Sequence, residues 1–147
     1  MLNWFVQAHP LKATGAGGRK KRAFGDNLDH LNVTFEYPNG LHAFLAATQL
    51  AVKRYWDVKE QFFGTEGVLE TERKYYQWHR GAGDVLEVKS KREITIDAVE
   101  AFVNDILAGK PRNMAVDAAN STFTSLLGRI AIENRREITW EEMLQSG

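Results

Sequence analysis

Two clusters near the N-terminal third carry side chains able to do chemistry. The first is the basic run Arg19-Lys20-Lys21-Arg22, which follows Gly15-Ala16-Gly17-Gly18. One or two of its arginines suit an anionic or hydroxyl-rich ligand, since guanidinium groups present several donors in a fixed fork. The second is Asp29-His30 at the start of a strand pattern. An imidazole beside a carboxylate is a candidate acid or base, and the alternative is a surface strand histidine. The remaining histidines, His9, His42 and His79, form no i, i+4 pair and no metal-ligand spacing.

Other motifs carry less. A dinucleotide fingerprint needs a preceding strand, a following helix and a set glycine spacing. Gly15 to Gly18 has the wrong spacing and leads into no helical pattern, so it is expected to be a glycine-rich strand or bulge. Strand alternation would divide residues 19–22 between two faces, and the chain is neutral overall, which argues against nucleic acid. Lys110-Pro111 follows a glycine-capped helix end, where a lysine complements the helix dipole. No nucleophile elbow and no cysteine are present. The residues alone therefore describe an α+β domain without a self-contained active site.

The elements that must position these groups follow from pattern. The chain has 147 residues, 44% of them apolar and 11% aromatic, with 19 basic and 19 acidic residues. That suits one domain, residues 1–147, with a real core. No apolar run approaches the roughly 20 residues that span a bilayer, and the first residues do not form a signal peptide. A cytoplasmic location is expected. Residues 1–9 read as the last turns of a helix broken at His9-Pro10. Leu31, Val33, Phe35 and Tyr37 alternate with polar residues, then Pro38-Asn39-Gly40 supplies a turn, and residues 41–50 return. Residues 61–64 and 68–71 flank a second turn, with residues 74–79 extending that strand and residues 85–88 forming a short edge strand.

After Lys91 the period becomes helical. Ile96, Val99, Val103, Ile106 and Leu107 share a face that ends at Gly109 and Pro111. A second helix spans about Met114 to Glu133, with Asn113 as N-cap and a stripe of Phe123, Leu126, Leu127, Ile130 and Ala131. The tail, residues 137–144, is a short strand and a helical turn around Trp140. Strands followed by helices predict an α+β fold with a largely antiparallel open sheet covered on one face. Phe44, Tyr55, Trp56, Tyr76 and Trp78 are candidates for the uncovered face, which would be an interface.

Several segments together resemble the glucose–fructose oxidoreductase / inositol dehydrogenase / MocA family. Asn3-Trp4 with His9-Pro10 resembles the end of the first helix of that family's C-terminal domain. Gly17-Gly18-Arg19 with Arg22 resembles a Gly-Gly-Arg-x-x-Arg strand of one branch. Asp29-His30 and Val33 to Gly40 resemble its hairpin, and Phe63 to Gly67 its Phe-Gly-Thr-x-Gly turn. Ala101-Phe102, Gly109-Lys110-Pro111, Leu127-Gly128-Arg129 and Ile138-Thr139-Trp140 resemble its closing helices and tail. The order and spacing carry the resemblance, and it covers nearly the whole chain.

The resemblance implies a C-terminal, dihydrodipicolinate-reductase-like domain on the substrate side of an NAD(P)-dependent sugar or polyol oxidoreductase. It implies a homodimer through the open sheet face, a sugar or polyol ligand, and neither nucleic acid nor membrane as partner. Arg19, Arg22, Asp29 and His30 become the substrate-binding candidates, as hydroxyl-binding and orienting groups. The Rossmann domain, the Glu-Lys-Pro lysine and the Asp and His of the family's connecting helix have no counterpart here. Aligning Trp4 with that helix places the last two before Met1. The chain is thus expected to bind no cofactor and to be inactive alone. The other expectation is a stand-alone, non-catalytic dimeric binding or assembly module, or the partner of a separate nucleotide-binding chain.

Overall fold

A computed structural model describes residues 1–52, 55, 57–81 and 83–145. The chain divides into two compact units, Met1–Lys53 with Asn113–Gly147, and Arg54–Arg112. Both are α+β, and every described strand pairing is antiparallel. The expected class therefore holds, with the strands divided between two four-stranded sheets.

The first unit contains α1 (Leu2–Val6), β1 (Lys12–Gly18), β2 (His30–Glu36), β3 (His42–Thr48), α3 (Ala115–Asn134), β8 (Ile138–Thr139) and α4 (Trp140–Gln145). Its sheet runs β3-β2-β1-β8. The turn between β2 and β3 is a 3-10 turn over Pro38–Gly40, in which Asn39 (φ 62°) and Gly40 (φ 73°) take the left-handed conformations that an Asn-Gly pair tolerates. Direct cross-strand partners share a face, so Ala13, Gly15, Val33, Phe35 and Ala43 lie together. Helix α3 packs on this face and buries Leu127, Gly128, Ala131 and Ile132 there. Gly128 marks the closest approach: a Cβ there would stand 3.1 Å from Phe35 Cζ and 3.2 Å from Val33 Cγ1. Leu127 is fully buried, a burial that contributes about 2 kcal/mol. Phe123 and Leu126, expected in the same stripe, stay partly exposed, and Ile132 takes a core place instead.

Helix α1 is too short to persist alone, and tertiary hydrogen bonds hold it. Asn3 Nδ2 donates to Asn120 O (3.2 Å) and Thr124 Oγ1 (2.9 Å), and the buried Tyr37 hydroxyl donates to Asn3 Oδ1 (2.7 Å). Gln7 in the left-handed region ends the helix. His9 stacks on Trp140 with ring centroids 4.1 Å apart. Asn113 Oδ1 accepts from the N–H of Ala115, the first residue of α3 (3.0 Å), although Met114 occupies the cap position itself.

The second unit contains β4 (Glu60–Gly64), β5 (Gly67–Thr71), β6 (Tyr75–Arg80), β7 (Asp84–Lys89) and α2 (Ile94–Leu107). The strands form a meander in the order β4-β5-β6-β7. Residues 74–79 do not extend the preceding strand. The chain reverses over Arg73 and Lys74, with Glu72 N–H donating to Tyr75 O (2.8 Å), and returns as a separate strand. Phe62, Leu69, Trp78 and Leu86 are register partners and make one apolar row across all four strands. Glu93 caps helix α2, its carboxylate accepting from Thr95 N–H (3.1 Å), and the helix ends before Gly109 (φ 67°). Its apolar side chains remain exposed, Phe102 at 65%.

The aromatic residues expected on one uncovered sheet face do not share one. Phe44 lies on the first sheet, Tyr76 and Trp78 lie on the second, and Tyr55 lies outside the strands. Trp56 falls outside the described residues. The face of the first sheet opposite α3 carries Thr14, His30, Asn32, Thr34 and Thr48 besides Phe44, so it is mainly small and polar. Alternation decides this, because the same strands that bury Val33 and Phe35 must turn their polar residues outward.

Candidate functional site

The two clusters singled out from the sequence meet at one end of the first sheet. Gly18 pairs with His30, and His30 with Thr48. The ladder continues one step further, since Asp29 N–H donates to Gly18 O (3.0 Å) and Gln49 N–H donates to Asp29 O (2.7 Å). Beyond Gly18 the chain leaves the sheet. Residues 19–22 are therefore a loop and not an alternating strand end, which corrects the expectation that their side chains are sorted onto two faces.

Asp29 organises this loop. It is 2% exposed. Its Oδ2 accepts from the backbone N–H groups of Lys20 (2.8 Å), Lys21 (2.7 Å) and Arg22 (3.2 Å). Three successive N–H groups aimed at one oxygen make a nest for negative charge, and here the chain's own carboxylate fills it. Oδ1 takes the remaining contact, with His30 Nδ1 at 2.8 Å. The Lys21 N–H, opposed by burial and aided by His30 and the Lys20 and Arg22 N–H groups, holds the Asp29 carboxyl well below the usual carboxylate range.

An ionised carboxylate only accepts, so the short contact makes His30 Nδ1 the protonated nitrogen. Nε2 is then an acceptor when the ring is neutral. The imidazole is 38% exposed. It packs against Gly18, where a Cβ would lie 3.1 Å from its Cε1. The side chains at the loop surface are also placed. Arg19 Nη2 donates to Arg22 O (3.2 Å), and Arg22 reaches across the end of the sheet to the side-chain oxygen of Gln49. Among the described residues, no carboxylate pairs with the side chains of Arg19, Lys20, Lys21 or Arg22. The nearby Asp26 is engaged by Arg129 Nη2 (2.8 Å), which also ties the loop to α3 and lowers the Asp26 carboxyl below its usual range.

All four substrate-binding candidates thus belong to one cluster, with Asp29 inside it and Arg19, Arg22 and His30 at its surface. Gln49 and Arg129 were not among the candidates. Gln49 was reachable from the hairpin register, which sets position 49 opposite 29. The Asp26–Arg129 pair spans 103 residues and has no local signal. A shallow concavity of about 320 Å³ lined by Ile130, Asn134, Arg136, Ile138, Glu142 and Gln145 contains none of the cluster.

The glycine segment is not a pyrophosphate-binding loop. Gly15, Gly17 and Gly18 lie inside β1 and pair with β2, so they open no helix and leave no turn for a pyrophosphate. Among the described residues, no three His, Asp or Glu side chains converge as a metal set. No described helix is long and apolar enough to cross a membrane.

No protein-family model matches the chain, and no curated protein matches it. Solved structures do. An oxidoreductase from Agrobacterium radiobacter, in complex with NAD+, L-tartaric acid and magnesium, superposes with a TM-score of 0.71 at 13% identity, over 97% of this chain and 46% of that one. A putative oxidoreductase from Thermotoga maritima superposes with a TM-score of 0.73 at 17% identity, over 94% of this chain and 43% of that one. The chain shares its fold with part of each and spans less than half of their length.

Proposed function

We propose that the chain is the substrate-side and dimerisation domain of an NAD(P)-dependent sugar or polyol oxidoreductase of the glucose–fructose oxidoreductase / inositol dehydrogenase / MocA family. The observation that carries this reading is the superposition of nearly the whole chain on less than half of two oxidoreductases, one of them holding NAD+. The family resemblance of ordered segments supports it further. The cofactor supplies hydride transfer in such enzymes, while the protein positions the reacting carbon. This chain's part is the positioning. Arg19, Arg22 and His30 present donors and an acceptor at one sheet end, and Asp29 holds the loop that carries the arginines.

Nucleotide binding and proton transfer would come from a domain or chain supplying the nucleotide fold, in a cytoplasmic homodimer. The apolar row of the second unit together with the exposed face of α2 supports a dimer contact. The reading is tested by assaying the purified 147-residue chain with NAD+ and NADP+ across sugars and polyols. No turnover is expected, and cofactor-linked turnover by this chain alone would overturn it.

A further inference from the structure

We infer that the end of the first sheet is a recognition site for a small polyhydroxylated carboxylate, in which Asp29 fixes the tautomer of His30 and Arg19 and Arg22 take the carboxylate. This deepens the reading above and rests on it only for the ligand's role as substrate.

Charge gives the first reason. Most described arginines elsewhere are neutralised by neighbouring acids, as Arg92 is by Asp97 and Glu100 and Arg129 by Asp26 and Glu133. Residues 19–22 place four cations in succession, none in a direct ion pair among the described residues; Asp26, which acts on Arg19 through space, is itself bonded to Arg129. The one buried carboxylate beneath them is spent on backbone N–H groups and His30. Guanidinium groups free of a direct ion pair and held by a fixed backbone are suited to a planar oxyanion. The inward-facing nest is already filled, so an external anion must be met by side chains.

Geometry gives the second. His30 stands on the uncovered face beside Thr48, its register partner, and on the same face as Asn32, the next outward residue of β2. The loop that carries Arg19 and Arg22 adjoins His30 through Asp29, whose Oδ2 accepts from the Lys20, Lys21 and Arg22 N–H groups while Oδ1 meets His30 Nδ1. A ligand whose carboxylate meets the arginines therefore runs onto a surface of hydroxyl and amide groups. There His30 Nε2, with Nδ1–H held by Asp29, accepts from a ligand hydroxyl. A surface built for hydrocarbon would place apolar residues in these positions.

The test uses the isotopically labelled 147-residue chain, titrated with D-gluconate, with sorbitol as its uncharged counterpart, and with sulfate. Nuclear magnetic resonance of the Arg22 side-chain N–H and the His30 ring nitrogens reports binding and tautomer. Gluconate is expected to bind at least about tenfold more tightly than sorbitol, the scale of a charge-assisted hydrogen bond. R22Q should narrow that ratio to under about threefold. Wild-type His30, when neutral, should carry its proton on Nδ1, and D29N should release that preference. Equal binding of gluconate and sorbitol, or sulfate binding as tightly as gluconate, would overturn the ligand class. Absence of any perturbation at millimolar gluconate, or a neutral His30 protonated on Nε2, would overturn the site. None of these readouts involves a cofactor. A chain that binds gluconate as described, yet supports no hydride transfer when joined to a nucleotide-binding domain, would overturn the oxidoreductase reading and leave the site standing.

Discussion

Replacing Gly15 by alanine tests whether the packing of the first unit is set where β1 passes under α3. Gly15 sits mid-strand opposite Val33, on the face that α3 covers. A Cβ there would meet the Asn32 carbonyl oxygen at 2.6 Å, Val33 Cγ2 at 3.1 Å and Ile132 Cγ1 at 3.2 Å. The first contact is with backbone of the neighbouring strand, which cannot swing aside as a side chain can. Two effects oppose each other. Alanine removes the conformational freedom of glycine in the unfolded chain and stabilises by about 0.5–1 kcal/mol. Overpacking against β2 and Ile132 costs about 1–3 kcal/mol, with the upper end apt here because the clash is with a paired strand. The net expectation is a loss of about 2 kcal/mol, on the order of 10 °C in Tm for a unit of this size. Urea unfolding followed by fluorescence measures it, with the buried Trp140 reporting on this unit. A Gly15→Ala chain as stable as wild type would refute the reasoning, because the strand spacing would then be yielding where the structure shows it tight.

Asp29 should dominate acid stability locally. Its folded carboxyl lies below the usual value near 3.8, so its contribution is complete above that value and disappears as pH falls through the folded pKa. The urea midpoint of wild type should drop more steeply than that of Asp29→Asn between pH 5 and about 2, and parallel profiles would count against the carboxylate nest. Tyr37 gives the alkaline counterpart. Burial pushes its hydroxyl up to about 12, so between its ordinary value near 10 and that limit only the unfolded chain releases the proton, and stability falls as pH rises. Tyr37→Phe should lose the bond to Asn3, about 1 kcal/mol at neutral pH, and show a shallower alkaline decline; an unchanged decline would place its origin elsewhere. Light scattering at micromolar concentration should give a dimer, with Phe102→Glu on α2 shifting it to monomer; a monomeric wild type would remove the dimer proposal.

Much of the fold was legible because its signals are local. The alternation of Val33, Phe35 and Tyr37, the Pro38-Asn39-Gly40 turn and the Gly109 stop each act within a few residues, and each element stands where the pattern put it. The reversal at Arg73-Lys74 was not legible, since those residues carry no glycine, proline or asparagine to mark a turn. The candidate site was legible as residue types only. Arg19, Arg22, Asp29 and His30 stood out by chemistry, while the loop that joins them was hidden by reading residues 19–22 as more strand.

Composition and periodicity alone settled the class of this protein, an antiparallel α+β chain, because period two and period 3.6 are properties of neighbouring residues. Tertiary structure alone decided that Asp29 turns inward to three backbone N–H groups, that His30 faces the polar side of the sheet, and that Arg129 holds Asp26 from a helix 103 positions away. A backbone N–H has no sequence signature. Which carboxylate it meets depends on strand register and on where the chain leaves the sheet, and both are set by the packing of the whole unit.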